Sequence, residues 1–441
     1  MPDEILLHIL SFVPTEDAIT TSVLSRRWRH VWCWTHSLEF QDYSRRTRTV
    51  QDINQTLISY KAPKITSFLL HMTLGPDVLV SQMDSWIEFA MSRNVEELSL
   101  SVNPHAENYS FPDVFYLSSS LEQLSLTIGF YMIPRCTVSW KSLKNLSLTG
   151  CFLKDESFAN ILSGCPVLES LNFHRCYRLP KRLDLSKSPS LKRLEIYHQL
   201  RHTGPMETLE HKEPVEIIAP HILYLNLSSS EEPPFTLVDV SSLTEASLDI
   251  CIRFRPFIFN SKAHSLQTMV LKMLAKLQSV ERLSFDGTFL QILSLAELRG
   301  VPFPTLSVQT LTLVTKLTRS VVPGIQRLLQ NSPRLKKLIA KAANPADMIK
   351  DRDMDSYLDS QGLNPDQCWS SKYELFPTSY EFRQEAMSKL VASFIEMLLR
   401  NVNTLETLVV VLKYIRYDAK RFEELLQTLS NNNNVSIVFK R

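Results

Sequence analysis

Glycine is scarce in this chain: nine of 441 residues, roughly 2% where ~7% is usual. No two glycines fall within nine positions of each other. A phosphate-cradling loop needs clustered glycines to let backbone N–H groups approach the anion, so neither G-x-G-x-x-G nor G-x-x-x-x-G-K can occur. The G-x-S-x-G elbow of the α/β-hydrolases is excluded on the same ground. A charge excess is lacking too. Forty-eight Lys+Arg against 46 Asp+Glu leave a net charge of +2, which recommends neither nucleic acid nor a membrane surface as partner. Long apolar runs are missing, since even Leu390 to Leu399 contains Glu396, so no membrane span is expected. Met1-Pro2-Asp3-Glu4 opens no basic, then apolar, leader. The seven cysteines (Cys33, Cys136, Cys151, Cys165, Cys176, Cys251, Cys368) form no C-x-x-C. They read as reduced thiols of a protein of the cytoplasm and/or nucleus.

The chain does have a repeat. L-x-x-L-x-L, with apolar replacements, recurs at Val95/Leu98/Leu100, Leu121/Leu124/Leu126, Leu143/Leu146/Leu148, Leu168/Leu171/Phe173 and Leu191/Leu194/Ile196. It continues at Ile222/Leu225/Leu227, Leu243/Ala246/Leu248, Val280/Leu283/Phe285 and Val308/Leu311/Leu313, with degenerate copies at Leu335/Leu338 and Leu405/Leu408/Val410. The early spacings of 26, 22, 25 and 23 residues are those of leucine-rich repeats, while the later ones stretch. The alternation at the second and third anchors is a strand signal. Three positions on, Asn103, Cys151, Cys176 and Cys251 occupy the slot whose side chain bonds the backbone inside the turn. Pro166, Pro189, Pro220 and Pro333 each stand two residues before a first anchor, where proline ends one segment and delivers an extended chain to the next. Phe158 to Ser163, followed by Gly164, reads as a short helix with a glycine C-cap. Residues 61–345 are therefore expected to form a right-handed α/β solenoid, a horseshoe with one parallel strand per repeat. Its ladder cysteines Cys151, Cys176 and Cys251 are expected to be buried and unpaired.

Both ends differ. Ile5, Leu6, Ile9, Leu10 and Val13 recur at helical spacing. Pro14-Thr15-Glu16-Asp17 supplies a break, an N-cap and an acidic first turn. Ser25 can cap a third helix that places Trp28 and Trp32 on one face. This unit is too small to close its own core.

Pro2-Asp3-Glu4-Ile5-Leu6-Leu7-His8-Ile9-Leu10-Ser11-Phe12, with Asp17-Ala18 and Ser22-Val23-Leu24-Ser25-Arg26-Arg27-Trp28-Arg29-His30-Val31-Trp32, resembles an F-box. The wording is that of plant F-box proteins with leucine-rich repeats, although Met1 stands where the family usually carries Leu. Gln367-Cys368-Trp369, the helical Met387 to Leu399, Leu405 to Val410 and the closing Asn434 to Phe439 resemble the FBD region that follows such repeats. The expected organisation is an α/β chain with an F-box of three helices at 1–40 and a linker at 41–60. The solenoid (61–345), a polar loop (346–367) and an FBD-like α/β cap (368–441) follow.

The resemblance implies a non-catalytic, substrate-recognition subunit of a Skp–cullin–F-box (SCF) ubiquitin ligase. Its F-box would dock a Skp-family adaptor and, through it, a cullin; its repeats would hold an unidentified protein substrate. The alternatives are a leucine-rich-repeat scaffold without a ligase role, or a small-molecule co-receptor. Pro2, Ile5, Ile9, Leu10, Val23, Leu24, Trp28 and Trp32 are the expected adaptor contacts. Residues between and just after the anchors face the concave side, giving Ser147, Thr149, Asn172, His174, Glu195, Tyr197, Asn226, Ser228, Asp249 and Asp286 as the substrate surface. Tyr197 and His174 are its largest side chains. No catalytic residue, metal site or cofactor is expected. His198 and His202 lack a third ligand, the Asp347 to Asp359 acidic run lacks the central Gly and final Glu of a calcium loop, and Arg45-Arg46-Thr47-Arg48 reads as solvated linker.

Overall fold

The computed structural model describes residues 2–42, 48–72, 80–102, 109–198, 214–229, 235–250, 256–342, 348–369, 384–411 and 435–440. These fall into two units, Met1–Glu195 and Ile196–Arg441.

The first unit begins with helices α1 (Asp3–Leu10) and α2 (Thr15–Thr20), then 3-10 turns at Thr21–Val23 and Trp28–Trp34. Leu6 and Leu10, one turn apart on α1, meet Ala18, Val31, Trp32 and Cys33 in a small core, with Leu7, Val13, Ile19 and Trp28 around it. The third segment is a 3-10 turn rather than an α-helix, and this corrects the expected Trp28/Trp32 face. At three residues per turn, positions i and i+4 diverge by about 120°, so Trp32 enters the core while Trp28 stays at its rim. Thr15 is not the cap of α2, whose N-cap is Pro14. The buried Thr15 hydroxyl instead accepts the Glu39 N–H at 2.7 Å.

Glu39 belongs to β1 (Ser37–Asp42), which pairs in parallel with β2 (Ser67–Met72). The repeats thus begin at residue 37, directly against the helices, and Thr15 blunts an edge that would otherwise stay open. Residues 41–60 are accordingly not a linker. They contain helix α3 (Arg48–Ser59), which buries Ile53 and Leu57. Of the basic run, Arg45, Arg46 and Thr47 lie outside the described residues, and Arg48 opens α3.

Strands β3 (Glu97–Val102), β4 (Gln123–Thr127), β5 (Asn145–Thr149) and β6 (Ser170–His174) follow, each parallel to the one before. The anchors stack in register: Leu98, Leu124, Leu146 and Leu171 form one row, and Leu100, Leu126, Leu148 and Phe173 the next. All eight are buried. Helices α4 (Val80–Ser92), α5 (Asp113–Tyr116) and α6 (Asp155–Ser163) lie between strands. Around the short α5, aromatic rings supply the packing. Trp140 is fully buried, stacks on Tyr116 with centroids 5.9 Å apart and donates its indole N–H to the Phe115 carbonyl at 2.6 Å.

Gly164 ends α6 as expected but for another reason. Its φ is an ordinary −83°; the missing side chain is what counts, because a Cβ would come within 2.6 Å of the Val138 carbonyl carbon. Cys151 and Cys176 are buried free thiols; Cys176 donates to the Leu148 carbonyl at 3.3 Å and Cys151 to that of Thr149 at 3.6 Å. Cys176 beside it, together with burial, holds the Cys151 thiol well above its ordinary pKa. Cys251 lies outside the described residues.

After β7 (Arg182–Asp184), the boundary between units falls inside β8 (Arg193–His198). In the second unit β9 (Val215–Ile218) pairs with β11 (Phe235–Asp239). The main ladder runs through β10 (Tyr224–Ser229), β12 (Glu245–Ile250), β13 (Arg282–Asp286), β14 (Thr310–Thr315), β15 (Lys337–Ala342), β16 (Thr407–Val411) and β17 (Ser436–Lys440), all parallel. The degenerate copies at Leu338 and Leu408 are therefore rungs, and the C-terminal region extends the sheet. Helices α7 (Pro256–Lys276), α8 (Gly287–Leu298), α9 (Val322–Gln330) and α12 (Gln384–Arg400) accompany them. The stretch expected as a polar loop holds two helices, α10 (Asp351–Ser360) and α11 (Pro365–Trp369). Met354, Tyr357 and Leu358 on one face of α10 are buried, and that face outweighs the aspartates around it.

Candidate functional site

The helical N-terminus presents two kinds of apolar residue. Leu10 and Trp32, at 2% and 9% exposure, are core. Val23 at 87% and Leu24 at 65% stand free, with Ile5 and Ile9 nearly half exposed on the outer side of α1. Pro2 is exposed and Trp28 half-buried. Arg27 donates Nε and Nη2 to Asp3 Oδ1 at 2.8 and 2.6 Å, holding the Val23–Arg27 stretch beside the start of α1. Phe12 (74% exposed) and Trp34 (47%) belong to the same class, and sequence reasoning missed both. Phe12 could have been found from its place just beyond α1, where the His8 ring meets it edge-on at 4.8 Å. Ile5, Ile9, Phe12, Val23, Leu24 and Trp34 thus leave apolar surface exposed outside the small core of this unit.

The strand faces carry the second set. In the first unit Ser147 lies opposite Asn172 and Thr149 opposite His174, all partly exposed, with Glu195 paired to Arg193. Desolvation lowers the His174 pKa, against the pull of Glu195, while Arg175 reinforces the fall. In the second unit Asn226 donates to the Tyr197 hydroxyl at 2.7 Å. Ser228 is buried at 3% exposure and donates to Asp249 at 3.1 Å. Asp286 is committed as the N-cap of α8, accepting from the N–H groups of Thr288 and Phe289. Burial first, then the charge of Asp249, pushes its pKa up to about 8. Ser228 and Asp286 are thus tied into the fold, which leaves Tyr197, Asn226 and Asp249 as the accessible members there. His198 is buried, with Phe235 edge-on at 6.5 Å, and His202 lies outside the described residues. No group of His, Cys, Asp and Glu among the described residues could hold a metal ion, and no helix among them is long and apolar enough to cross a membrane.

Residues 1–40 match the F-box domain family, and residues 83–212 match the leucine-rich repeats of the FBD-associated F-box protein At5g56370 type. The putative F-box/LRR-repeat protein At5g02700 of Arabidopsis thaliana is 54% identical over 455 residues, spanning 100% of this chain and 92% of that protein. The chain belongs to the plant F-box/LRR-repeat family. The F-box/LRR-repeat protein At5g02910 of Arabidopsis thaliana, 49% identical, covers 100% of this chain and 94% of its own length. F-box protein At5g03100, 48% identical, covers 69% of this chain. In this F-box/LRR-repeat protein the matched F-box takes in the helical unit and ends within β1, and the repeat match covers β3 to β8 in full.

Proposed function

We propose that this F-box/LRR-repeat protein is the substrate-recognition subunit of an SCF ubiquitin ligase. The observation that carries the reading is the exposure of Val23, Leu24, Ile5 and Ile9 outside the small core that Leu6, Leu10 and Trp32 share. A Skp-family adaptor covers that surface and joins a cullin, while the repeats hold a protein substrate on their polar strand faces. The chain itself makes and breaks no covalent bond. It converts an encounter between substrate and ubiquitin-charged enzyme into a local event at raised effective concentration. Its work lies in the cytoplasm and/or nucleus.

Affinity capture of the tagged full chain from plant cells, with the proteasome blocked, tests this reading. Adaptor and cullin co-purify and ubiquitin-bearing proteins accumulate on the wild type, and the Val23→Asp/Leu24→Asp variant loses the adaptor and cullin. Capture of other proteins without adaptor or cullin would make the chain a repeat scaffold instead.

A further inference from the structure

Beyond the ends of β4, β5 and β6, Tyr131, Phe152 and Tyr177 form a ladder of rings. Tyr131 and Phe152 lie 5.0 Å apart, and Phe152 and Tyr177 stack at 4.9 Å with an interplanar angle of 17°. The backbone is built to hold them: Phe152 bridges Tyr131 on one side and Arg178 on the other. Gly150, at φ +68°, turns the chain where a Cβ would meet the Ile128 carbonyl oxygen at 2.8 Å. Tyr177 remains half exposed.

Core aromatic rings are buried, as Phe115 and Trp140 are here. A surface stack offers flat apolar area with little rotamer freedom to lose, which is the property of a binding anchor. Three exposed cations, Lys154, Arg175 and Arg178, accompany it. Lys154 sits 5.4 Å from the Tyr131 ring centroid, and none of the three forms an ion pair among the described residues. Arg175 occupies the repeat position that Gly150 holds one repeat earlier, and adopts φ +48°. A left-handed arginine costs free energy that glycine would not, and such strain gathers at functional positions.

We infer that the Tyr131–Phe152–Tyr177 ladder, with Lys154, Arg175 and Arg178, is a second anchor point for the substrate beside the polar strand faces, taking a peptide segment that carries an aromatic side chain flanked by carboxylates. The inference takes its purpose from the ligase reading above and its location from the rings. The carboxylates meet these three cations and the aromatic ring extends the stack.

The test uses the full chain with its adaptor and measures fluorescence anisotropy of a labelled peptide of about a dozen residues, tyrosines set among glutamates. Wild type binds it saturably; Tyr177→Ala weakens binding about tenfold or more, and Arg175→Gly about fivefold. Arg175→Gly also raises the melting temperature, which separates lost binding from lost folding. No saturable binding, equal affinity in both variants, or tighter binding of a single-stranded oligonucleotide overturns the inference. A chain that binds the peptide through Tyr177 but never holds the adaptor would sink the ligase reading and leave the docking surface standing.

Discussion

Arg319 fastens α10 and α11 to the repeats, and its removal has a calculable cost. It opens the 3-10 turn ahead of α9 and donates Nη2 to Asp355 Oδ2 at 2.6 Å and Nη1 to Asp366 Oδ1 at 3.0 Å. The other Asp355 oxygen accepts the Trp369 indole N–H at 2.7 Å, and neighbouring Ser320 donates to Asp351 at 2.8 Å. The side chains of Arg319 and Asp355 are 18% and 24% exposed, that of Asp366 87%. Breaking one partner of a fully buried pair costs ~3–5 kcal/mol. With a quarter of Asp355 in water and Trp369 still donating, Arg319→Ala is expected to cost about 2–3 kcal/mol. Asp366→Ala should cost about 0.5 kcal/mol or less, as an exposed pair does. Asp355→Asn on the Arg319→Ala background should recover about 1 kcal/mol, since it removes the stranded charge. A chain of two units is not a two-state folder, so the assay is amide hydrogen exchange, read over residues 351–369. Unchanged exchange there in Arg319→Ala, or an Asp366→Ala effect as large, would refute the reasoning.

Gly164→Ala drives a methyl into the Val138 carbonyl and should destabilise the first unit by about 1–3 kcal/mol, read by amide hydrogen exchange over residues 155–164; unchanged exchange there would mean that the Val138 backbone gives way at no cost. Asp286 binds a proton in the folded state that the unfolded chain has lost between pH ~4 and about 8, so its contribution to stability falls as pH rises through that window. Asp286→Asn keeps a cap acceptor and should flatten the slope of melting temperature against pH; identical slopes would show that the carboxyl titrates normally. Trp32→Ala should cost about 3–5 kcal/mol as a core truncation, whereas Leu24→Ala should leave the melt within about 0.5 kcal/mol. Equal losses in circular-dichroism melts would erase the distinction between core and docking residues.

The repeats were legible because two demands coincide: alternate residues of a strand face one way, and stacked strands need the same residue type at each rung. Leu98, Leu124 and Leu146 satisfy both. Strand β1 was missed because Thr35 stands where the first apolar anchor belongs; buried, it donates to the Trp32 carbonyl at 2.9 Å instead. Helix α10 was hidden by composition, since its aspartates read as loop until Ser320 and Arg319 are seen to receive Asp351 and Asp355. At the N-terminus the residue types were readable but their facing was not. The 3-10 winding sends Trp32 inward and leaves Trp34 out, a difference of pitch that side-chain chemistry does not encode.

The most direct measurement titrates a purified Skp-family adaptor into the full chain by calorimetry. The account predicts one-to-one binding, and Val23→Asp/Leu24→Asp weakened about a hundredfold or more at an unchanged melting temperature, since burying each side chain is worth ~1.5–3 kcal/mol. An adaptor that gives no saturable heat with the wild type, or that binds the variant equally well, would contradict it.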